Sequence, residues 1–322
     1  MGEVKHGYQS WYGITEEGFY AGTVVDYDVT ELTVGNFLTG SDVTTSHRAP
    51  SSTKFTIPDS NMERTPLKEI GAGLYLDDII AQKVNYADGS IDAYIHDRQL
   101  LSGAMGVWNI STDAVPLYTA PGETPPSYEI HAYNTIESFD VFGCVIKDYT
   151  IDCKVDELVK QSISLLHHKT VNRAEMTVPT GIVYKATARL HFSDVVATID
   201  GNTISDLFMK SFSLKITNEF HPTITLEDYY RRAPVLKARN IEMSVEFEAD
   251  ASQFQTERFA ASPTEFNVDF DIGSAIDTTW TNMYVDSISW QELADPGEVY
   301  QYKMTLKNGV GFTYTDGNQP AE

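Results

Sequence analysis

The chain has 322 residues, of which 42% are hydrophobic and 11% aromatic. That content is enough to bury one large core or two small ones, and it excludes a disordered chain. The formal net charge is −23, which argues against direct binding of nucleic acid, because Lys and Arg hold phosphates by releasing their counterions. A salt-adapted proteome also gives acidic chains, and salt-dependent folding would identify that case.

Short runs of alternating apolar and polar residues extend along the whole chain, which is the pattern of strands with one buried face. We predict strands at residues 22–32, 53–57, 90–95, 128–134, 143–155, 182–192, 210–218, 241–248, 265–272, 282–290 and 298–307. Many short strands are typical of an antiparallel β-sandwich or barrel. We therefore predict a mainly β fold.

Helical patterns are few and short. Residues 67–80 show a helical pattern that two glycines interrupt, residues 100–105 fit one or two turns, and residues 226–232 fit a single turn. Residues 157–168 fit either an amphipathic helix or a strand, and periodicity alone does not decide between them. We expect one or two short helices.

Two segments without apolar periodicity, residues 35–66 and 111–127, are predicted to be long loops. Loops of that length in a compact domain are usually functional or mobile. Residues 315–322 are predicted to form a flexible C-terminal tail. Because no internal repeat or domain boundary is visible, we predict a single domain over residues 1–322.

The two cysteines, Cys144 and Cys153, lie on one predicted strand. Nine residues of extended chain span about 30 Å, and the odd offset places the two side chains on opposite faces. We therefore predict reduced structural thiols rather than a disulfide. The chain shows neither a signal-peptide pattern nor a long apolar segment, so we predict a protein made in a cytosol that uses no membrane.

Motifs of known catalytic chemistry are missing from the sequence, including the nucleophile elbow, the Walker loop, the dinucleotide glycine fingerprint and the HExxH motif. His167 and His168 are adjacent, so one metal ion could hardly bind both side chains, and we interpret them as surface or interface residues. Asp269 and Asp271 share a strand face and could hold a cation or act as an acid and base pair. Such stripes are more often charged surface. We predict no catalytic, metal or cofactor site, although an enzyme with an unrecognised site remains a hypothesis.

Acidic residues concentrate in the last third of the chain. Between residues 241 and 300 there are thirteen acidic residues and one basic residue. Many of them, such as Glu242 and Glu246, alternate with apolar residues on predicted strands. This arrangement indicates a charged outer face and favours a structural protein over an enzyme.

Four stretches, in chain order, resemble the major tail tube proteins of long-tailed (siphovirus-type) bacterial and archaeal viruses. They are YGITEEGFYAGTVVDYDVTELT, GSIDAYIHDRQLLSGAMG, GCVIKDYTIDCKVDELVKQSISLL and SFSLKITNEFHPTITLEDYYRRAPVLKARNIEMSVEFEA. The second is a strand and short helix ending in glycine, the third a glycine-led hairpin, and the fourth a strand ending in Asn. They are distributed over residues 12–249, a span that is most of the chain.

The resemblance implies a β-sandwich or barrel flanked by a helix, in rings of six that stack into a virion tail tube conducting viral DNA. The implied partners are further copies of the chain, a tape measure protein, and tail terminator or baseplate proteins. Residues 157–166 would then be a strand, and the loop 35–66 would reach a neighbouring ring. The candidate inter-ring residues are Val43, His47, Arg48 and Thr53, and the candidate channel-facing residues are Glu242, Glu246, Asp269 and Asp271.

The alternative function is an acidic β-sandwich binding module for carbohydrate or a receptor, with or without calcium. Its stacking platform would be built from aromatic residues, which include Trp11, Trp108, Trp280 and Trp290. Aromatic residues are also common in cores and subunit contacts. Negative-stain images would distinguish monodisperse globules from rings and tubes.

Overall fold

The structure, a computed structural model, describes part of the chain. The described residues are 11–16, 52–71, 74–95, 99–106, 122, 125, 127–133, 138–173, 190–199, 202–203, 209–221, 234–248, 264–273, 276–290, 302–309 and 314–316.

Antiparallel strands make up most of these residues. In chain order the elements are β1 (Trp11–Glu16), β2 (Ser52–Thr56), β3 (Asp59–Gly71), β4 (Leu74–Ala87), β5 (Gly89–Tyr94), helix α1 (Gln99–Met105), β6 (Tyr128–Tyr133), β7 (Ser138–Lys154), β8 (Lys160–Leu166), β9 (Lys169–Arg173), a 3-10 turn (Phe192–Asp194), β10 (Val195–Ile199), β11 (Asn202–Thr203), β12 (Met209–His221), β13 (Val235–Phe247), β14 (Glu265–Ile272), β15 (Ile276–Trp290), β16 (Tyr302–Asn308) and β17 (Tyr314–Asp316). The predicted mainly β fold is confirmed.

The main sheet folds back on itself around one apolar core. Its strands follow the order β11-β10-β14-β15-β16-β13-β12-β7-β8-β5-β2. Phe212 of β12 and Phe270 of β14 are four places apart in that order, yet their buried rings stack with centroids 4.1 Å apart. The inner faces of β12 and β14 therefore pack against each other, as in a sandwich.

The segment before β10 closes one end of this folded sheet. Val159 N–H donates to the Leu190 carbonyl at 3.0 Å, and Phe192 N–H donates to the Glu157 carbonyl at 3.1 Å. These bonds join the β10 end of the sheet to the turn between β7 and β8. Closure of this kind covers backbone groups that an open edge would leave unpaired.

A buried asparagine fixes helix α1 on the sheet. The Asn218 side-chain amide donates to the carbonyls of Ala104, at 2.8 Å, and Ile146, at 2.9 Å. Its oxygen accepts from Arg239 Nε at 2.8 Å. Asn218 is buried. If its side chain were removed, water could not replace it as the hydrogen-bond partner of these groups. The helix ends at Gly106, whose φ of 76° is the left-handed conformation that glycine adopts most readily.

Several predicted elements need correction. The described residues 67–71 and 74–80 are not helical but belong to the two strands of the hairpin β3–β4. Residues 160–166 are strand β8, so the alternative left open for 157–168 is decided in favour of a strand. Part of the predicted loop 35–66 is strand, since β2 and β3 begin at Ser52 and Asp59, and the first two residues of the predicted tail 315–322 belong to β17. The rest of both predictions, residues 35–51 and 317–322, lies outside the described residues.

Other predictions fall on residues that the structure does not describe. They are the strand 22–32, most of the strand 182–192, the helical turn 226–232, and all but three residues of the loop 111–127.

Cys144 and Cys153 are both free and buried, so the absence of a disulfide between them is confirmed. Their predicted placement on opposite faces is wrong. A register shift between Ile146 and Asp148 reverses the alternation of β7, and both thiols therefore lie in the same core. Burial raises the pKa of the Cys153 thiol far above its usual value, and the neighbouring Asp152 charge adds to the effect.

Replacing Asn218 by Ala should destabilise the fold by about 3 kcal/mol, because buried groups left unsatisfied cost roughly 1–3 kcal/mol. Asn240→Ala is the matched control. Asn240 is exposed and donates only to Glu219 Oε1, at 3.3 Å, so its loss should stay within about 0.5 kcal/mol. Urea unfolding measures both values. Equal effects would contradict the anchoring role of Asn218.

Candidate functional surfaces

A row of polar residues crosses the outer face of the folded sheet. The register joins Cα partners through eight neighbouring strands. At about 4.8 Å between strands, the row is roughly 33 Å wide. We call it the polar belt, and its members, all exposed or half-buried, are Lys54, Asp92, Ser162, Thr150, Lys215, Glu242, Lys307 and Tyr284.

Within and beside the belt, lysines alternate with acidic residues across strands. Glu242 of β13 lies between Lys215 of β12 and Lys307 of β16, and Glu246 is paired in register with Lys303. Opposite charges on adjacent strands attract, whereas like charges would repel. The acidic side chains of β13 are therefore matched by cations from both neighbouring strands.

Three contacts hold these charges in place. Lys303 Nζ lies 3.7 Å from Glu246 Oε1, and Lys307 Nζ lies 2.8 Å from Asp286 Oδ2. Ser211 Oγ donates to Glu246 Oε2 at 2.9 Å. The hydrogen bond with Asp286 raises the pKa of Lys307, and the Asp286 and Glu242 charges act in the same direction. We define the charge lattice as Lys215, Glu242, Glu246, Asp286, Lys303 and Lys307.

A second acidic group, the aspartate cluster, consists of Asp269, Asp271 and Asp277. Thr198 and Thr279 donate to the two oxygens of Asp269, at 3.0 and 2.8 Å. Asp271 and Asp277 are direct cross-strand partners. Burial, followed by the charge of Asp277, its hydrogen bond and the charge of Asp269, raises the pKa of Asp271 to about 6. Among the described residues, none of these three aspartates forms an ion pair with a lysine or arginine, in contrast to two carboxylates of the charge lattice.

Asp269 and Asp271 point away from the strand that carries Lys215. Asp269 and Asp271 flank Phe270 on β14, and side chains alternate between faces along a strand. Because Phe270 points inward to stack on Phe212, the two aspartates point outward from β14. Lys215 lies on the outer face of β12, the strand that carries Phe212, and Glu242 is its cross-strand partner on β13.

The hairpin β3–β4, which we call the arm, forms a two-stranded sheet of its own in the described part of the chain. Its strands pair from Asp59–Ala87 to Gly71–Leu74. Thirteen residues of strand extend about 43 Å. The arm therefore has the length of a projecting ribbon.

The root of the arm is held by close contacts. Thr170 N–H donates to Ser60 Oγ at 2.9 Å, and Thr170 Oγ1 donates to the Pro58 carbonyl at 2.8 Å. The Tyr86 ring meets the His167 ring edge-on at a centroid distance of 5.3 Å. Gly89 packs so closely on Pro58 that a Cβ there would lie 2.3 Å from the proline ring.

The predicted site residues have different outcomes. Glu242 is exposed, Glu246, Asp269 and Asp271 are half-buried, and the structure separates them into two pairs. Thr53 lies within strand β2 rather than in a loop. Val43, His47 and Arg48 lie outside the described residues.

Two sequence interpretations are wrong because the side chains concerned are buried. His167 and His168 are only 2% and 7% exposed, so they are not surface residues. Trp280 is fully buried, and its indole N–H donates to Thr278 Oγ1 at 3.0 Å. It cannot form part of a sugar-stacking platform.

Sequence reasoning missed the lysines of the charge lattice. Counting charges between residues 241 and 300 shows one basic residue, whereas Lys215, Lys303 and Lys307 reach this face from strands outside that window. The alternation within residues 212–216 was a usable signal, because it assigns Lys215 to an outer face.

Comparison with known proteins gives one match. A family model described as phage tail tube protein matches residues 28–303, more than four fifths of the chain. The search of curated proteins found no match to this chain. Within the described ranges, no helix is both long and apolar enough to cross a membrane. The same ranges contain no group of three or more His, Cys, Asp or Glu residues that could hold a metal ion.

Asp271→Asn should raise the thermal stability of the protein above pH 6 and leave it nearly unchanged near pH 4. A carboxyl whose folded pKa is raised from 3.8 to about 6 binds its proton more tightly in the folded state, so folding weakens as pH rises through this interval. The side-chain amide of the Asn variant does not titrate in this range, so the variant does not lose this stability as pH rises. Asp271 is half-buried, so solvent screening keeps the effect modest.

Thermal unfolding followed by circular dichroism between pH 4 and 8 measures this difference. Glu242→Gln is the matched control, because Glu242 lies between two lysines and its neutralisation should not stabilise the fold. A stability gain for Asp271→Asn that does not depend on pH would contradict the argument.

Proposed function

The chain belongs to the phage tail tube protein family, and on that premise we propose that its subunits form rings of six that stack into a tube conducting viral DNA. Family membership makes the protein a structural component of the virion tail that assembles with copies of itself. The proposal adds the ring, the stacking contact and the channel wall. The arm is the observation that carries it.

We infer that a partner completes the arm. Two-stranded hairpins are at best marginally stable alone in water. The strands of the arm nevertheless contain many apolar residues, among them Met62, Leu67, Ile70, Leu74, Leu76, Ile79 and Ile80. A neighbouring subunit in the next ring would cover them. The arm of one subunit would then contact a different surface of the next subunit. Such a head-to-tail contact produces an open filament when its rotation does not close into a ring.

We assign the channel wall to the polar belt and the charge lattice. Glu242 and Glu246 then face the DNA, whereas Asp269 and Asp271, on the opposite side of the core, face away from it. A ring of six chains at −23 each carries 6 × −23 = −138 formal charges. Such a field repels a polyanion, and weak attraction to the wall would slow its passage.

The remaining features of the proposal follow the sequence resemblance. The tail is of the long, siphovirus type, a tape measure protein occupies the tube during assembly, and tail terminator or baseplate proteins bind its ends. The segment that contains Val43, His47 and Arg48 leads directly into β2 and the arm, so we propose that it joins the same inter-ring contact. The subunits are made in the host cytoplasm.

Shortening the arm should abolish long tubes and leave the subunit folded. Residues 64–82 are replaced by Asn-Gly, a dipeptide that suits a two-residue hairpin turn, so that Glu63 and Lys83, already paired in register, flank the new turn. Negative-stain images measure tube length, and thermal unfolding measures folding.

A separate deletion of residues 43–50 tests the loop independently, because it ends before β2. Loss of tubes in the first variant alone would assign stacking to the arm. Tubes of normal length from the shortened arm would refute its role in stacking.

A further inference from the structure

The three lysines of the charge lattice form a compact basic array. Lys303 and Lys307 lie on one face of β16, about 13 Å apart along the strand, and Lys215 lies two strands from Lys307, about 10 Å away. Their side chains reach solvent, with exposures of 53% for Lys303 and 39% for Lys307. Duplex DNA carries one charge per about 1.7 Å of axis, so several phosphates would face such an array.

Each of these lysines lies beside a carboxylate. Glu246 and Asp286 make the ion pairs with Lys303 and Lys307, and Glu242 is the cross-strand partner of both Lys215 and Lys307. Three lysines and three carboxylates give the lattice a formal charge of zero. The Ser211 hydroxyl also holds Glu246 in place.

Net charge alone cannot explain how DNA is kept from this face. At physiological salt the Debye length is about 8 Å, so acidic residues farther away act only weakly on a phosphate at the lattice. Charges within the lattice therefore dominate its contact with a polyanion. An array of bare lysines here would attract DNA despite the acidity of the rest of the chain.

We propose that the charge lattice is a masked polyanion-binding surface, in which Glu242, Glu246 and Asp286 prevent three lysines from binding DNA phosphates. The inference deepens the proposed function and rests on it for the identity of the polyanion. In this proposal the three carboxylates, and not the net charge of the chain, prevent the surface from binding DNA.

The test compares two full-length variants with equal changes in charge. The first combines Glu242→Gln, Glu246→Gln and Asp286→Asn, and the second combines Asp269→Asn, Asp271→Asn and Asp277→Asn. Both raise the formal charge from −23 to −20, by three units. Only the first neutralises the carboxylates of the charge lattice, and the amide side chains keep the original shapes.

Binding of a fluorescent 30-base-pair duplex is measured between 20 and 200 mM salt. We expect no measurable binding by the wild type, no gain in the aspartate-cluster variant, and at least tenfold tighter binding by the lattice variant at 20 mM salt. Three phosphate contacts predict a slope of log K against log salt of about −2 to −3. Circular dichroism verifies that each variant is folded, and Glu246→Gln alone serves if the triple lattice variant is unfolded.

Three outcomes would overturn the proposal: a folded lattice variant that does not bind, equal binding by both variants, or binding by the wild type. Negative-stain images of the same proteins report tube formation separately. Tubes without a gain in DNA binding would refute the masking and leave the proposed function intact, whereas wild type that never forms tubes would count against the proposed function itself.

Discussion

The stacking of Phe212 on Phe270 fixes the direction in which the outer faces of β12 and β14 point. The two residues are distant in strand order, so the contact exists only because the sheet folds back on itself. Alternation of side chains along each strand then directs the neighbours of each phenylalanine to the outside. One apolar contact thus separates the aspartate cluster from the charge lattice and gives the subunit two outer faces of different electrostatic character.

Strands with regular alternation could be predicted from sequence, and their irregularities could not. Residues 265–272 alternate throughout, and β14 has the predicted bounds. In β7 a register shift after Ile146 reverses the faces, and no residue type near it marks the change. Residues 67–80 were misassigned because their leucines and isoleucines fit a helical period as well, although residues 67–71 and 74–80 belong to the two strands of a hairpin.

The alternation of acidic and apolar residues along β13 could be read from the sequence, but the charges that surround its glutamates could not. Glu242 and Glu246 do occupy the outer face, as alternation predicts. Their effect on a ligand depends on Lys215 and Lys307, which come from strands earlier and later in the chain. Pairing between distant segments is set by the tertiary fold, so a charge count along a window assigns to this face a field that it does not have.

The fixed root of the arm has a consequence for the thermodynamics of assembly. Ordering flexible backbone costs about 1–2 kcal/mol of conformational entropy per residue, and a loop that ordered only at the joint would lose that amount with each added ring. Thr170, Pro58 and Gly89 hold the root within the single subunit, so the cost is met during folding. In the proposed stacking contact, such preorganisation would leave more of the contact energy for association, which would favour growth of the tube by docking rather than by coupled folding.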